Sequence, residues 1–246
     1  MTKYEIIPLV LADLETDKSD MMYLMERGVM IHIPVVSFYI KGGDKRILVD
    51  TGASAEIISK YHSAPVRDVQ SFEAALDKHG LKPDDIDVVI QTHLHFDHCG
   101  NTSKCRRATV IVQEAELRFA LNPHPVCSVP YGSALLQGLR FQQVRGDTEI
   151  FDGIRLLSTP GHTPGGQSVA IETEKGIAII AGFCSISETF NVSPEARALM
   201  PGLLVYAPGI HTDAIVGFES AVKVKGLADI LIPPHALELK DIKSFP

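Results

Sequence analysis

Short apolar runs separated by polar or glycine-containing turns dominate the chain and indicate strands. The run at 31–40 is followed by a tight turn at 41–44 and a second run at 46–49, which predicts a hairpin. The run at 86–90 is continuously apolar, as is typical of a strand buried on both faces. The predicted strands are 4–11, 31–40, 46–49, 86–90, 109–112, 139–144, 149–151, 154–157, 168–171, 177–181 and 230–232.

Three segments between the strands are predicted to be helical. In the first, Phe72 and Leu76 are one helical turn apart, and Gly80 follows where a helix commonly ends. The predicted helices are 71–79, 114–121 and 213–225. Strands dominate both halves of the chain, which predicts an α/β protein of the α+β type, with two sheets packed face to face and helices outside.

Composition limits the classes of function. The chain has 246 residues and is 45% hydrophobic, enough for one sizeable core, so we expect a single domain over 1–246. The formal net charge of -7 argues against a nucleic-acid partner. No apolar run reaches membrane-spanning length, and the N-terminus lacks the features of a signal peptide. Four cysteines in a chain this long predict reduced thiols, a cytoplasmic location and no membrane partner.

A cluster of three histidines and one aspartate follows the buried run at 86–90. In an extended segment His93 and His95 point to the same side, so both can reach one metal ion. If the chain then turns, Asp97 and His98 face an adjacent position. Imidazole and carboxylate ligands suit zinc, and iron, manganese or cobalt less selectively.

Two further histidines follow predicted strands. Proline and glycine bracket His162 in the segment 159–166, which predicts a rigid turn that presents its imidazole. His235 follows the strand 230–232 and two prolines. Beside the first cluster, both are predicted metal ligands, whereas His62 and His79 are predicted to be surface residues.

These motifs resemble those of the metallo-β-lactamase superfamily, and within it most closely those of the N-acyl-homoserine lactonases. The matching stretches are 47–52 (ILVDTG), 92–100 (THLHFDHCG), 110–113 (VIVQ) and 159–168 (TPGHTPGGQS). The resemblance covers about the first three-quarters of the chain; beyond it, the match is mainly a strand followed by His235.

The resemblance implies the metallo-β-lactamase fold, a four-layer αβ/βα sandwich with two zinc ions in the cleft between the sheets. By this resemblance Asp50 supports the ligand loops from behind. The implied ligands are His93, His95 and His162 for the first ion, and Asp97, His98 and His235 for the second.

One position departs from the family. The aspartate that usually bridges the two ions is missing, because the corresponding segment contains Phe183 and Cys184. Either Cys184 binds or bridges the metals, which we favour, or the site works with a single ion. The tyrosine that lactonases place just after that aspartate also lacks a clear counterpart.

The resemblance implies hydrolysis of a lactone or other carboxylic ester by a metal-bound hydroxide, with Asp97 holding the nucleophile and passing its proton to the leaving group. One alternative is a thioesterase of the glyoxalase II kind, which binds an anionic thiol carrier through basic residues near the C-terminus. Lys240 and Lys243 are the only weak support for it. Another is a non-catalytic metal or redox sensor that uses Cys99 and Cys184. The partner is expected to be a small-molecule substrate. The sequence leaves open whether the chain forms a homodimer.

An apolar wall over the cleft is also predicted. The methionine-rich segment 21–30 could adapt to substrates of varied shape, and Phe183 could add to it. Met21, Met22 and Phe183 are therefore predicted substrate contacts. The alternative, equally weighted for the methionines, is that they fill gaps in the core.

Overall fold

Two β-sheets form the centre of the molecule in the computed structural model, which describes residues 3–246. The strands are β1 (Glu5–Asp17), β2 (Met30–Lys41), β3 (Ile47–Val49), β4 (Val66–Asp68), β5 (Val88–Ile90), β6 (Thr109–Gln113), β7 (Phe141–Val144), β8 (Thr148–Phe151), β9 (Ile154–Ser158), β10 (Gln167–Thr173), β11 (Gly176–Ile180) and β12 (Ile230–Ile232). The first two residues of the predicted domain, which begin the N-terminus examined for a signal peptide, lie outside the described residues.

Helices occupy the connections between the strands. The α-helices are α1 (Ala55–Ile58), α2 (Phe72–Asp77), α3 (Phe96–Cys99), α4 (Glu114–Leu121), α5 (Ser187–Phe190), α6 (Pro194–Leu199) and α7 (Ala214–Leu227). Short 3-10 helices are Lys18–Asp20, Pro83–Asp85, Thr102–Lys104, Pro125–Cys127, Ser133–Leu136 and Leu237–Lys240. No helix within residues 3–246 combines the length and the apolar character needed to cross a bilayer.

The larger sheet has seven strands in the order β4-β1-β2-β3-β5-β6-β7, and the smaller has five in the order β12-β11-β10-β9-β8. Strands β3, β5, β6 and β7 are parallel to one another, and β12 is parallel to β11. The carboxyl ends of parallel strands meet at one edge of a sheet. The loops after β3 and β5 therefore start side by side.

Three apolar layers separate the secondary-structure layers. The central cluster joins residues of both sheets, including Phe38 and Ile90 from one and Leu156 and Ile180 from the other. A second cluster packs α2 on the outer face of the larger sheet, and a third packs α7 on the outer face of the smaller one. This arrangement confirms the predicted four-layer αβ/βα sandwich.

The predicted strands are confirmed, with shifted ends and one omission. Strand β1 was expected to end at Leu11 but continues to Asp17, because the alternating residues beyond it pair with β2 and with the short strand β4. Polar residues within 12–17 hid this extension, because they interrupt the apolar run. Buried Asp13, for example, is paired with Arg67 of β4 at 2.6 Å. Strand β4 and the short helices α1, α3, α5 and α6 were not predicted.

Candidate metal centre

The candidate ligands all follow strand ends. Strand β5 leads within three residues to His93, and α3 then carries Asp97 and His98. The turns after β9 and β12 carry His162 and His235, which come from the smaller sheet. The cluster therefore lies where the loops of the two sheets meet.

The first group of candidate ligands comprises His93, His95 and His162. Each offers one ring nitrogen, and these atoms all lie within 4.8 Å of one another. The Nε2 atoms of His93 and His162 are 3.2 Å apart, and all three side chains are buried. Three imidazoles thus converge on one point.

The second group comprises Asp97, His98 and His235, whose ligand atoms also lie within 4.8 Å of one another. The Asp97 Oδ2 atom is 3.5 Å from His98 Nε2 and 3.8 Å from His235 Nε2. The His93 and His98 rings are 4.0 Å apart, centroid to centroid, so the two groups adjoin.

Hydrogen bonds at Nδ1 orient three of the histidines. His98 Nδ1 lies 2.7 Å from Asp50 Oδ2, His162 Nδ1 lies 2.6 Å from the Ile210 carbonyl oxygen, and His235 Nδ1 lies 3.1 Å from that of Pro34. A ring that donates from Nδ1 presents the lone pair of Nε2, the form in which imidazole binds a metal.

Asp50 connects several of these groups. Its carboxylate accepts hydrogen bonds from the Thr92 amide at 2.8 Å and the Thr92 hydroxyl at 2.7 Å, besides its contact with His98. The Thr92 hydroxyl lies 3.0 Å from His93 Nδ1. Asp50 has φ of 56°, a left-handed conformation that non-glycine residues seldom adopt. This strained turn aims one buried carboxylate at both ligand groups.

Burial keeps most of the cluster neutral. It lowers the pKa of His93 and His95 well below the usual value, and neighbouring histidines lower it further. Burial also lowers the pKa of His162 to about 4. For His98 burial acts in the same direction, but the charges of Asp97 and Asp50 prevail and raise its pKa. Neutral imidazoles are the protonation state that a metal ion requires.

The donor set fits divalent zinc. Two nitrogens bound at about 2.0–2.1 Å to one tetrahedral ion lie about 3.3 Å apart, which matches the 3.2 Å between the Nε2 atoms of His93 and His162. Two imidazole nitrogens without a proton between them repel each other at that distance, so a cation between them is the natural occupant. A site of three histidines beside one of two histidines and a carboxylate suits zinc or a similar ion.

Glu116 and Tyr131 support the site from behind, and sequence reasoning missed both. The buried Glu116 carboxylate accepts from the Leu94 amide at 2.9 Å, the Gly165 amide at 3.2 Å and the Tyr131 hydroxyl at 3.1 Å. Gly165 is required there, because a Cβ atom would come within 2.0 Å of the Glu116 nitrogen. Glu116 thus connects the two loops that carry the first group.

Cys184 lies beside the cluster but in neither ligand group. Its thiol donates to the carbonyl oxygens of Asp20 at 3.2 Å and Ile210 at 3.4 Å, and burial raises its pKa to about 12. The structure therefore favours a small buried thiol over the predicted metal ligand. Phe183 packs outward, with its ring 6.0 Å from Phe190. It does not line the cavity, so it is not the substrate contact that the sequence predicted.

A cavity of about 220 Å³ opens over the candidate ligands His95, Asp97, His98, His162 and His235. Its apolar wall comprises Leu14, Met21, Ile33, Phe96, Val129 and Ile210. Met21 thus lies where a substrate contact was predicted, whereas Met22 is buried in the adjoining core and does not line the cavity.

His62 also lines this cavity and is half-buried, which corrects its prediction as a surface residue. A larger surface groove of about 810 Å³ lies beside α2 but contains none of the candidate ligands. Two ion pairs, Arg106 with Asp84 and Lys104 with Glu73, lie along it.

Comparison with known proteins agrees with this geometry. A family model described as the metallo-beta-lactamase superfamily matches residues 32–225. An N-acyl homoserine lactonase from Bacillus cereus is 30% identical over an alignment of 175 residues, which covers 65% of this chain and 66% of that protein. The sequence match to that relative therefore spans just under two thirds of its length.

Solved structures of lactonases share the fold. A variant of AiiA from B. thuringiensis with N-decanoyl-L-homoserine bound at its active site superposes with a TM-score of 0.77 and 25% identity, covering 98% of this chain and 96% of that one. An N-acyl homoserine lactone hydrolase with N-hexanoyl-L-homoserine at its catalytic metal center gives a TM-score of 0.77 and 26% identity, with 98% and 96% covered.

Proposed function

Because the chain belongs to the metallo-beta-lactamase superfamily, we propose that it is a metal-dependent hydrolase that cleaves a lactone or another carboxylic ester. The observation that carries the proposal is the pair of adjoining ligand groups beneath a largely apolar cavity. The lactonases among its relatives and structural neighbours support the same chemistry.

We propose two zinc ions per chain, one at each ligand group. When bound, such an ion lowers the pKa of a water ligand to about 7 and polarises a carbonyl group. His93, His95 and His162 would hold one ion, and Asp97, His98 and His235 the other. Phe183 supplies no bridging carboxylate, so each ion depends on its own three ligands and on what else it binds.

Asp97 is the proposed proton carrier. Its side chain is 15% exposed and faces His98 and His235 through Oδ2, and it lines the cavity. A carboxylate oxygen in this place can accept the proton of the attacking water and return it to the leaving oxygen. The Nε2 atoms of His98 and His235 flank this oxygen, as fellow ligands of one ion would.

The cavity supports a substrate with an apolar part. Met21, Phe96 and Ile210 contribute hydrophobic surface near the ligands, and pockets of this kind bury the apolar part of a small ligand while a few polar groups fix its orientation. An acyl chain or a ring next to the ester carbonyl would meet this wall.

The test is a pH-stat assay of metal-loaded enzyme on lactones, aryl and alkyl esters, thioesters and β-lactams. We expect ester or lactone turnover that chelation abolishes. His95→Ala should lower kcat/KM by more than about 10²-fold, which is the loss caused by removing a supporting partner behind a metal ligand. His124→Ala, an exposed histidine outside the cavity, is the control.

Two outcomes would favour the alternatives. Turnover of thioesters alone would indicate the glyoxalase II kind, although Lys240 is already paired with Asp13 at 3.2 Å. Two bound zinc ions without turnover on the panel would indicate a non-catalytic metal protein. The buried, hydrogen-bonded thiols of Cys99 and Cys184 do not favour the redox form of that alternative.

A further inference from the structure

His62, four residues after the end of α1, lines the metal cavity. We propose that its Nε2–H group donates a hydrogen bond to the carbonyl oxygen of the substrate. This inference rests on the proposed function, because it needs an ester or lactone carbonyl in the cavity. It adds a residue that neither ligand group contains.

The local backbone fixes which ring nitrogen carries the proton. The Ala64 amide donates to His62 Nδ1 at 3.2 Å, so Nδ1 must be the unprotonated nitrogen. The proton of the neutral ring is then on Nε2. Within residues 3–246, Nε2 meets no hydrogen-bond partner, so this donor is available to a ligand.

Aromatic contacts hold the ring on the cavity wall. The His62 ring lies 6.4 Å from that of Phe96, and the Tyr61 ring is stacked on Phe96 at 5.4 Å with an angle of 8°. Phe96 stands between the candidate ligands His95 and Asp97 in the sequence. His62 is thereby positioned relative to the ligand loop.

Two other donors that line the cavity are already engaged. The Thr16 hydroxyl donates to Asp20 Oδ2 at 2.5 Å, and the Cys184 thiol donates to two backbone carbonyls. The Tyr61 hydroxyl lies against Gly132, where a Cβ atom would approach it to 2.2 Å. His98, His162 and His235 use Nδ1 for protein acceptors and so present the lone pair of Nε2, whereas His62 keeps an N–H donor on this wall.

Such a donor would act mainly on the transition state. As the carbonyl carbon becomes tetrahedral, its oxygen gains negative charge, and a hydrogen bond from a fixed, neutral donor strengthens. The proton stays on His62 throughout, so no group has to regenerate it.

Paired substitutions separate donation from packing. His62→Phe keeps a planar ring without a donor, whereas His62→Gln keeps an N–H donor without the ring. We expect His62→Phe to lower kcat/KM for an ester by about 10²-fold, as loss of one such donor does elsewhere, and His62→Gln to stay within tenfold of wild type. Zinc content should be unchanged in both.

His124→Ala is a matched control, because the Val126 amide donates to His124 Nδ1 at 3.3 Å in the same way, yet His124 is exposed and outside the cavity. Wild-type activity in His62→Phe would overturn the proposal. So would a His62→Gln variant as slow as His62→Phe, since that result indicates packing.

A readout independent of turnover distinguishes this proposal from the proposed function. In 15N-histidine NMR spectra of the zinc-loaded protein, His62 should be the Nε2–H tautomer, and an Nδ1–H tautomer would overturn the proposal. If wild type hydrolyses no ester, the proposed function fails. The role of His62 as a donor to a carbonyl oxygen is then tested by the binding of N-hexanoylglycine to wild type and His62→Phe. We expect its Kd to rise about fivefold in His62→Phe; an unchanged Kd would overturn the proposal.

Discussion

The carboxylate of Asp50 lies 2.7 Å from Nδ1 of His98 and is fully buried behind both ligand groups. The same carboxylate accepts the amide and hydroxyl hydrogens of Thr92, whose hydroxyl contacts His93. Orientation of one ligand from each group therefore depends on a single side chain.

Asp50→Asn should weaken zinc binding by about 10- to 100-fold, the usual effect of losing a partner behind a metal ligand. The amide has no negative charge, and only one of its two terminal groups can accept a hydrogen bond. Competition against a chromophoric chelator measures the affinity. Asp84→Asn, at an exposed ion pair with Arg106, should leave it unchanged; equal losses in both variants would argue against this role of Asp50.

Glu116→Leu should destabilise the protein by about 3 kcal/mol, since it leaves the buried amides of Leu94 and Gly165 without their acceptor. Urea unfolding monitored by circular dichroism gives the change in the free energy of unfolding. Glu149→Leu, at an exposed position, is the control. A Glu116→Leu variant as stable as wild type would show that the two loops do not depend on this carboxylate.

The metal-free protein should lose stability as pH falls below about 6.5. Burial lowers the pKa of His162 to about 4 in the folded state, whereas in the unfolded chain it is close to 6.5. Between these values the unfolded state binds the extra proton, so the free energy of unfolding decreases with decreasing pH. His93 and His95 act in the same direction, and His98, with a raised pKa, opposes them.

Urea midpoints at pH 5 and pH 7 measure this dependence. In His162→Gln the free energy of unfolding should fall less from pH 7 to pH 5 than it does in wild type. In His124→Gln the fall should equal that of wild type. An equal decrease in wild type and His162→Gln would contradict the assigned role of His162.

Cys184→Ala should leave the zinc content of the purified protein unchanged, because the thiol donates to backbone carbonyls and belongs to neither ligand group. Elemental analysis of untagged protein measures it directly. Loss of one ion per chain in this variant would instead support the sequence-based prediction that the Cys184 thiolate is a metal ligand.

The parts of the site that the sequence predicted are those encoded locally. His93 and His95 are two residues apart after an apolar strand, and His162 stands in a turn fixed by proline and glycine. His98 belongs to the same short cluster, His235 follows a strand and two prolines, and Asp50 was identified through the resemblance. In each case a short stretch carries the signal, so the side chains could be named before their convergence was known.

The parts that the sequence did not reveal depend on tertiary contacts. Glu116 acts through amides 22 and 49 positions away, and nothing in the helix 114–121 marks it as buried. His62 has no neighbouring ligand motif, and only folding places it on the cavity wall. Phe183 was expected to add to the apolar wall of the cleft if it pointed inward, but its side chain packs in the cluster between the smaller sheet and α7.

The central claim is that six side chains hold two zinc ions beneath this cavity. Crystals of untagged, zinc-loaded protein measured on both sides of the zinc absorption edge test it most directly. We predict two anomalous peaks, one about 2.0–2.2 Å from nitrogens of His93, His95 and His162, and one equally close to ligand atoms of Asp97, His98 and His235. Absence of anomalous density between these side chains, or peaks bound only elsewhere, would contradict the account.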